Sequence, residues 1–323
     1  MSIESKTVKS DDDWTIIDAD VTSMYPSISI ANNVYPEHLG LTFCSVYKDL
    51  FDERSKYPKG SGPNGAIKLA LNSVYGKSNS EFSPLFDPQY TLTITVNGQL
   101  CLSMLAEKLI GLGCKMIQCN TDGVTAMVPR AKVDEYYKIT KAWEQIVGLK
   151  LEYAVYSMMA LGDVNNYLAV YEDGKVKSKG RYEVAHFEKL GWSKNHSAMI
   201  VPIAALNYVV YGKKIEKTIR DHKDEYDFCL RAKIPRSSKL YLCYDDGREL
   251  LQQNICRYYP SESGGKLVKL MPPLKEGGEW RRLGIDTDWS VETCNHIDEF
   301  DWSKLNYDYY ITEAKKLVEG LGL

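Results

Sequence analysis

The sequence predicts an α+β fold, and three patterns carry that expectation. Short runs of strand formers close on tight turns: Cys114–Cys119 and Val124–Val128 flank Asn120-Thr121-Asp122-Gly123, whose Asp-Gly pair favours a hairpin. Two segments of helical periodicity, at 45–57 and 66–75, flank the Gly/Pro-rich 58–65 and read as an antiparallel helical hairpin. A second strand hairpin is expected over 164–184, turning at Glu172-Asp173-Gly174.

In chain order, Trp14-Thr15-Ile16-Ile17 is β-branched and aromatic and predicts a buried strand over 14–19. Tyr25-Pro26-Ser27 reads as a turn, and mixed sequence follows to about residue 43. The first helix of the helical hairpin places Val46, Leu50 and Phe51 on one face. The stretch 58–65 reads as a loop, and the second helix is expected to break at Gly76. Residues 98–111 and 131–147 look helical, as does most of 197–232, interrupted at Gly212. After 239 come short strands rich in Gly and Pro, then an amphipathic helix from about Tyr307 to Val318.

A chain of 323 residues with 44% apolar and 26% charged composition is long enough for two or three subdomains around a sizeable core. No apolar run approaches the ~20 residues of a membrane span. The eight cysteines (44, 101, 114, 119, 229, 243, 256, 294) show no CxxC and no zinc-ligand spacing, so a reduced, cytoplasmic protein without structural zinc is expected. A net charge of −3 argues against a protein that coats nucleic acid. Charge is nevertheless segregated. Between Lys175 and Arg220 ten basic residues face three acidic ones, whereas the opening segment carries Asp11, Asp12, Asp13, Asp18 and Asp20. Such a pattern suits an enzyme with a carboxylate site and a separate phosphate-gripping surface.

Three short stretches carry the candidate chemistry. The first is Asp20-Val21-Thr22-Ser23-Met24-Tyr25-Pro26-Ser27, where a carboxylate ends an apolar strand, as a solvated turn or as a metal site. In the second, Lys68-Leu69-Ala70-Leu71-Asn72-Ser73-Val74-Tyr75-Gly76, helical spacing sets Lys68, Asn72 and Tyr75 along one stripe. Such a stripe is either a solvated face or a surface for a nucleotide, with the lysine as a point charge toward phosphate. The third is the turn Asn120-Thr121-Asp122-Gly123, which hairpin formation alone would explain.

In order and residue type the three resemble the polymerase motifs of family B DNA polymerases. Asp20 to Ser27 is similar to D-x-x-S-L-Y-P-S with Met24 for Leu. Lys68 to Gly76 matches K-x-x-x-N-S-x-Y-G, and Asn120-Thr121-Asp122 resembles D-T-D with Asn first. Leu50-Phe51-Asp52-Glu53-Arg54 resembles the first fingers helix, Asn166-Tyr167 stands where the family has its K-x-Y region, and Asn306 to Ile311 resembles the end of the thumb. The flavour is viral or phage-like, with compact fingers.

The resemblance implies a right-hand core with an antiparallel-sheet palm, a short helical-hairpin fingers and a mainly helical thumb. The expected bounds are 1–43 for the first part of the palm, 44–76 for the fingers, 77–163 for the second part of the palm, 164–195 for a connecting hairpin and 196–323 for the thumb. The implied reaction is template-directed transfer of deoxynucleotides to a primer 3′-OH, in viral DNA replication. Asp20 and Asp122 are the implied catalytic carboxylates and, with the Val21 carbonyl, hold two Mg²⁺ ions, for which Mn²⁺ can substitute. Asp18, two residues before Asp20 on the same strand, is the rival ligand.

By the same resemblance Ser23, Met24 and Tyr25 cradle the phosphates through backbone amides, Tyr25 blocks a ribose 2′-OH, and Arg54, Lys68 and Asn72 bind the nucleotide. Tyr75, Gly76 and Tyr167 meet the base pair or the DNA. Lys175, Lys177 and Lys179 alternate along a strand, so all three are expected on one face as a rail for a duplex backbone. Partners are primer–template DNA, dNTPs, a separate exonuclease polypeptide and replisome factors, with no membrane. The exonuclease is expected elsewhere because the first motif begins at residue 20. Two other functions suit the same residues: a non-catalytic DNA-binding relic, and a palm-type primase or RNA polymerase.

Overall fold

The computed structural model describes residues 3, 5–184, 197–273, 275, 277–285 and 288–323. Glu188, Lys189 and Lys194 of the basic segment, and 185–195 of the expected connecting hairpin, lie outside the described residues. The chain divides into two compact units, 1–165 with 169–177, and 166–168 with 178–323.

The first unit holds β1 (Lys6–Lys9), β2 (Trp14–Val21), α1 (Met24–Ala31), α2 (Thr42–Ser55), α3 (Gly62–Lys77), α4 (Pro88–Leu112), β3 (Lys115–Cys119), β4 (Gly123–Pro129), α5 (Val133–Val147) and β5 (Leu151–Asp163). With β6 (Asn166–Tyr171) and β7 (Val176–Lys179) the sheet runs β3-β4-β2-β5-β6-β7, and β1 also pairs with β5. The division between the units falls within β6 and β7. β2 sits between β4 and β5 and is antiparallel to both.

Strand alternation sorts β2 into two faces. Ile17, Ala19 and Val21 enter a core with Ile94, Leu105 and Leu109 of α4 and Tyr136 and Trp143 of α5. Asp18 and Asp20 have the other parity and leave that core. Trp143 is fully buried, and its indole N–H donates to Cys101 O at 2.8 Å. The α5–β5 link is fastened by Glu144, which accepts the Leu151 backbone N–H at 2.7 Å and Lys141 Nζ at 2.9 Å.

Several expectations are corrected here. Tyr25-Pro26-Ser27 is the first turn of α1 rather than a free turn. Proline is tolerated there because the N–H groups of a helix's first turn have no intrahelical partner to lose. For the same reason Pro63 sits in the first turn of α3, which starts at Gly62 inside the expected loop. Gly76 does not end α3, which continues to Lys77; one glycine costs a helix only ~1 kcal/mol. α4 starts ten residues early at Pro88, with Asp87 Oδ1 accepting the Tyr90 N–H at 2.9 Å as its cap. β5, 13 residues long, occupies a stretch for which the sequence predicts no element. Its continuous run Met158-Met159-Ala160-Leu161 is buried, and such a run has no diagnostic period.

In the second unit α6 (Ile200–Tyr211), α7 (Ile215–Asp221) and α8 (Tyr307–Glu319) accompany β8 (Leu230–Lys233), β9 (Lys239–Cys243), β10 (Glu249–Gln252), β11 (Ile255–Met271), β12 (Arg281–Ile285) and β13 (Val291–Thr293). The sheet runs β10-β9-β11-β12, with β8 and β13 also on β11. Over 230–293, then, the unit is antiparallel sheet, where 196–323 was expected to be mainly helical. Its core centres on Phe228, ringed by Trp302, Tyr307 and Tyr310, and the Tyr310 hydroxyl donates to Phe228 O at 2.6 Å. Among the described residues no helix is long and apolar enough to cross a membrane.

Candidate active-site cleft

Across the end of β2, Asp20 stands opposite Gly123 of β4, and the Val21 N–H donates to Asp122 O at 2.6 Å. This pairing brings the first and third sequence stretches together. Gly123 is a requirement of that approach: a Cβ there would collide with Asp20 Oδ1 and stand 2.8 Å from Ala19 O. Asn120 Oδ1 accepts the backbone N–H groups of Asp122 at 3.1 Å and Gly123 at 2.5 Å. Its amide therefore shapes the turn that presents Asp122, a role the sequence comparison did not show.

A cleft of about 910 Å³ opens over this strand end, and Asp20, Val21, Ser23, Met24, Tyr25, Arg54, Lys68, Asn72, Tyr75 and Asp122 all line it. All ten were expected at the site. Gly76 is exposed on α3 but does not line the cleft. Tyr167, expected to meet DNA, is buried in β6 and belongs to the second unit.

The phosphate-cradling expectation meets a specific backbone. Ser23 is the N-cap of α1 with φ 49°, in the left-handed region, so the helix starts abruptly at Met24. The first-turn N–H groups and the positive end of the helix dipole favour an anion there. The Met24 side chain is buried and would touch a Cβ at Gly98, so only its backbone is available.

Arg54 reaches this turn from α2. Its guanidinium donates to Ser23 Oγ at 2.6 Å and to Asn64 Oδ1 at 3.4 Å. Asn64, buried at the start of α3, also donates from Nδ2 to Arg54 O and Tyr57 O at 3.2 and 3.0 Å, closing the end of α2. Sequence reading passed over Asn64 because it sits in what looked like a loop. It also passed over Lys59, which lines the cleft as a third cation and donates to Glu152 Oε1 and Oε2 at 2.7 and 2.8 Å. Lys59 and the Thr22 hydroxyl together hold the Glu152 carboxyl below its usual range.

Tyr25 and Tyr75 stack with ring centroids 3.8 Å apart and planes at 15°. Burial, then Tyr75, then Asp122 push the Tyr25 phenol up to about 12. The Tyr75 hydroxyl is fixed on Thr95 Oγ1 at 2.9 Å. The two rings form a rigid aromatic wall beside the carboxylates.

The expected basic rail is corrected. Lys177 does not join Lys175 and Lys179 in an outward row: its Nζ lies 3.3 Å from Asp18 Oδ2 and 3.9 Å from Asp20 Oδ2. Lys175 pairs with Asp173 at 2.5 Å. Asp18 is buried and does not line the cleft, so the rival ligand serves the sheet instead. Lys177 faces the carboxylates of β2.

No family model matches the chain. It is 25% identical over 349 residues to a DNA polymerase of Thermococcus sp. (strain 9oN-7), covering 92% of this chain and 43% of the relative. A DNA polymerase 1 of Pyrococcus abyssi is 25% identical over 207 residues, covering 51% and 27% respectively. In both comparisons the chain spans less than half of the relative's length. The solved family B DNA polymerase of Pyrobaculum calidifontis shares the fold at a TM-score of 0.56 and 15% identity, over 99% of this chain and 46% of that one. With the three motifs meeting at one cleft, the chain is similar in sequence to a DNA polymerase along most of its length and shares the fold of a family B DNA polymerase.

Proposed function

We propose that this chain is a DNA-directed DNA polymerase core that adds deoxynucleotides from dNTPs to a primer 3′-OH on a DNA template. The observation that carries the reading is the single cleft in which Asp20, Asp122, Arg54, Lys68 and the Tyr25–Tyr75 wall all meet. The first sheet would be the palm, α2 and α3 the fingers and the second unit the thumb. A phage or viral setting belongs to the same proposal, with α2 and α3, joined by residues 56–61, as compact fingers.

The donor set suits a hard divalent cation. Asp20 and Asp122 offer carboxylates and Val21 its carbonyl, all oxygen. Among the described residues no three His, Cys, Asp or Glu side chains gather at one point, so a bound ion would share its shell with substrate phosphates, as Mg²⁺ readily does. Two Mg²⁺ ions held there would supply Lewis-acid activation of the primer hydroxyl and neutralisation of the leaving pyrophosphate.

The rest is done by this chain's own groups. Arg54, locked by Ser23 and Asn64, presents a fixed guanidinium to the triphosphate; Lys68 adds a second charge, and Lys59, paired with Glu152, a third. The α1 first-turn amides receive phosphate oxygens. Tyr25, held against Tyr75, fills the space a ribose 2′-OH would need, which selects deoxynucleotides by exclusion. Asn72 lines the same wall of the cleft, toward the nucleotide.

Primer extension by purified protein with Mg²⁺, offered dNTPs or NTPs, tests this. Extension with dNTPs is expected, falling about a thousandfold or more in Asp20→Ala and Asp122→Ala while DNA binding persists. A parent protein that binds primer–template but never extends it would establish the relic instead, and preference for NTPs a primase or RNA polymerase.

A further inference from the structure

Asp18 is a carboxylate in the sheet interior, its side chain only 4% exposed. A charge so placed persists only with strong partners. Its Oδ1 accepts the Thr125 hydroxyl at 2.6 Å, and Thr125 in turn accepts Gln118 Nε2 at 3.2 Å. Its Oδ2 accepts the Tyr156 hydroxyl at 2.8 Å and Lys177 Nζ at 3.3 Å. Lys177 also donates to the Tyr156 oxygen at 2.9 Å, so its ammonium is fixed between two acceptors.

The same ammonium lies 3.9 Å from Asp20 Oδ2. Asp18 and Asp20 are two residues apart on one face of β2, so their carboxylates are neighbours, and Asp122 lies just across the β2–β4 pairing. Lys177 thus serves a buried carboxylate with no access to the cleft and a carboxylate that lines it. We propose that Asp18 and Lys177 form a charge-balancing pair in the floor of the cleft, with Lys177 the positioning residue that sets how strongly Asp20 holds a divalent cation.

The inference rests on the reading of Asp20 as a metal ligand and makes a signed statement about it. In the parent, the charges of Asp18 and Lys177 largely cancel at Asp20. Asp18→Asn leaves the ammonium uncompensated beside Asp20 and weakens divalent binding. Lys177→Gln leaves the Asp18 charge uncompensated and strengthens it. Removing both charges in Asp18→Asn/Lys177→Gln restores binding close to the parent's. Lys177→Arg, which keeps the charge, stays near the parent.

The test is Mn²⁺ binding to protein without DNA or nucleotide, read from the EPR signal of free Mn²⁺, with a thermal melt of each variant. At a half-exposed site with water-like screening, one unit of charge acting on a divalent ion shifts the dissociation constant about tenfold. Opposite shifts of about that size in the single variants, and recovery in the double variant, support the pair; a general loosening of the sheet would move both singles the same way. Shifts of the same sign, or none beyond about twofold, overturn it. If Lys177→Gln fails to fold, Asp18→Asn against the double variant decides: recovered affinity supports the pair, and unrecovered affinity overturns it. Asp20→Asn separates the two levels. If it binds Mn²⁺ like the parent, the ligand reading of Asp20 fails; if it loses binding while the pair variants shift nothing, only the pair fails.

Discussion

Replacing Gly123 with alanine adds one methyl group at the point where β2 and β4 touch. That Cβ would overlap Asp20 Oδ1, stand 2.8 Å from Ala19 O and 3.0 Å from Asp20 Cα, against an ordinary contact of 3.4 Å or more, so β4 must retreat from β2 by roughly 0.6 Å. The retreat falls on the Val21 N–H to Asp122 O hydrogen bond, the direct link between the Asp20 and Asp122 segments. Overpacking of this kind costs about 1–3 kcal/mol of stability. Misplacing a reacting group by about 1 Å costs on the order of a hundredfold in rate, and here both carboxylates shift. Gly123→Ala is therefore expected to melt several degrees below the parent while remaining folded, and to lose about a hundredfold in single-turnover primer extension. A variant that extends primers at the parental rate would refute the claim that close β2–β4 approach sets the carboxylate geometry.

Tyr25→Ala opens the wall beside Tyr75 and should admit ribonucleotides while dNTP insertion continues; unchanged discrimination between dCTP and CTP in single-insertion kinetics would remove the gate. Glu144 tests stability against pH. Burial pushes its carboxyl up, but the Leu151 N–H and Lys141 outweigh burial and hold it below the usual range. A folded value below the unfolded one, about 4.3, gives stability that is fully present above that pH and lost as pH falls through the folded value. The parent should therefore lose thermal stability on acidification below about pH 4.3, and Glu144→Gln should lose less over the same window. Parallel melting curves for the two proteins would show that the buried carboxylate contributes nothing.

The resemblance of short motifs to those of family B DNA polymerases singled out Asp20, Asp122, Arg54, Lys68, Tyr25 and Tyr75, and the structure brings all six to one cleft; such motifs are legible because each is short and sits on one element. The hairpin around Asn120-Thr121-Asp122-Gly123 was legible for the same reason: Asn, Asp and Gly encode a turn locally. Element ends were less legible. Pro26 and Pro63 look like helix breakers, yet both occupy first turns where no hydrogen bond is lost. β5 was hidden because its run Met158-Met159-Ala160-Leu161 is buried on both faces and so does not alternate, and β11 gathers β8, β9, β12 and β13 from distant positions.

By itself the sequence determined which chemical groups the chain brings to the cleft: the carboxylates Asp20 and Asp122, the cations Arg54 and Lys68, and the phenols Tyr25 and Tyr75. Only the tertiary structure decided how those groups are supported. It turned Lys177 from an outward rail onto Asp18 and Asp20, buried Asp18 beneath Thr125 and Tyr156, set Asn64 behind Arg54 and placed Gly123 against the Asp20 carboxylate. The physical reason is that alternation along a strand fixes which face a side chain takes but says nothing of what stands on that face. That depends on pairings between segments up to 159 residues apart, as between Asp18 and Lys177.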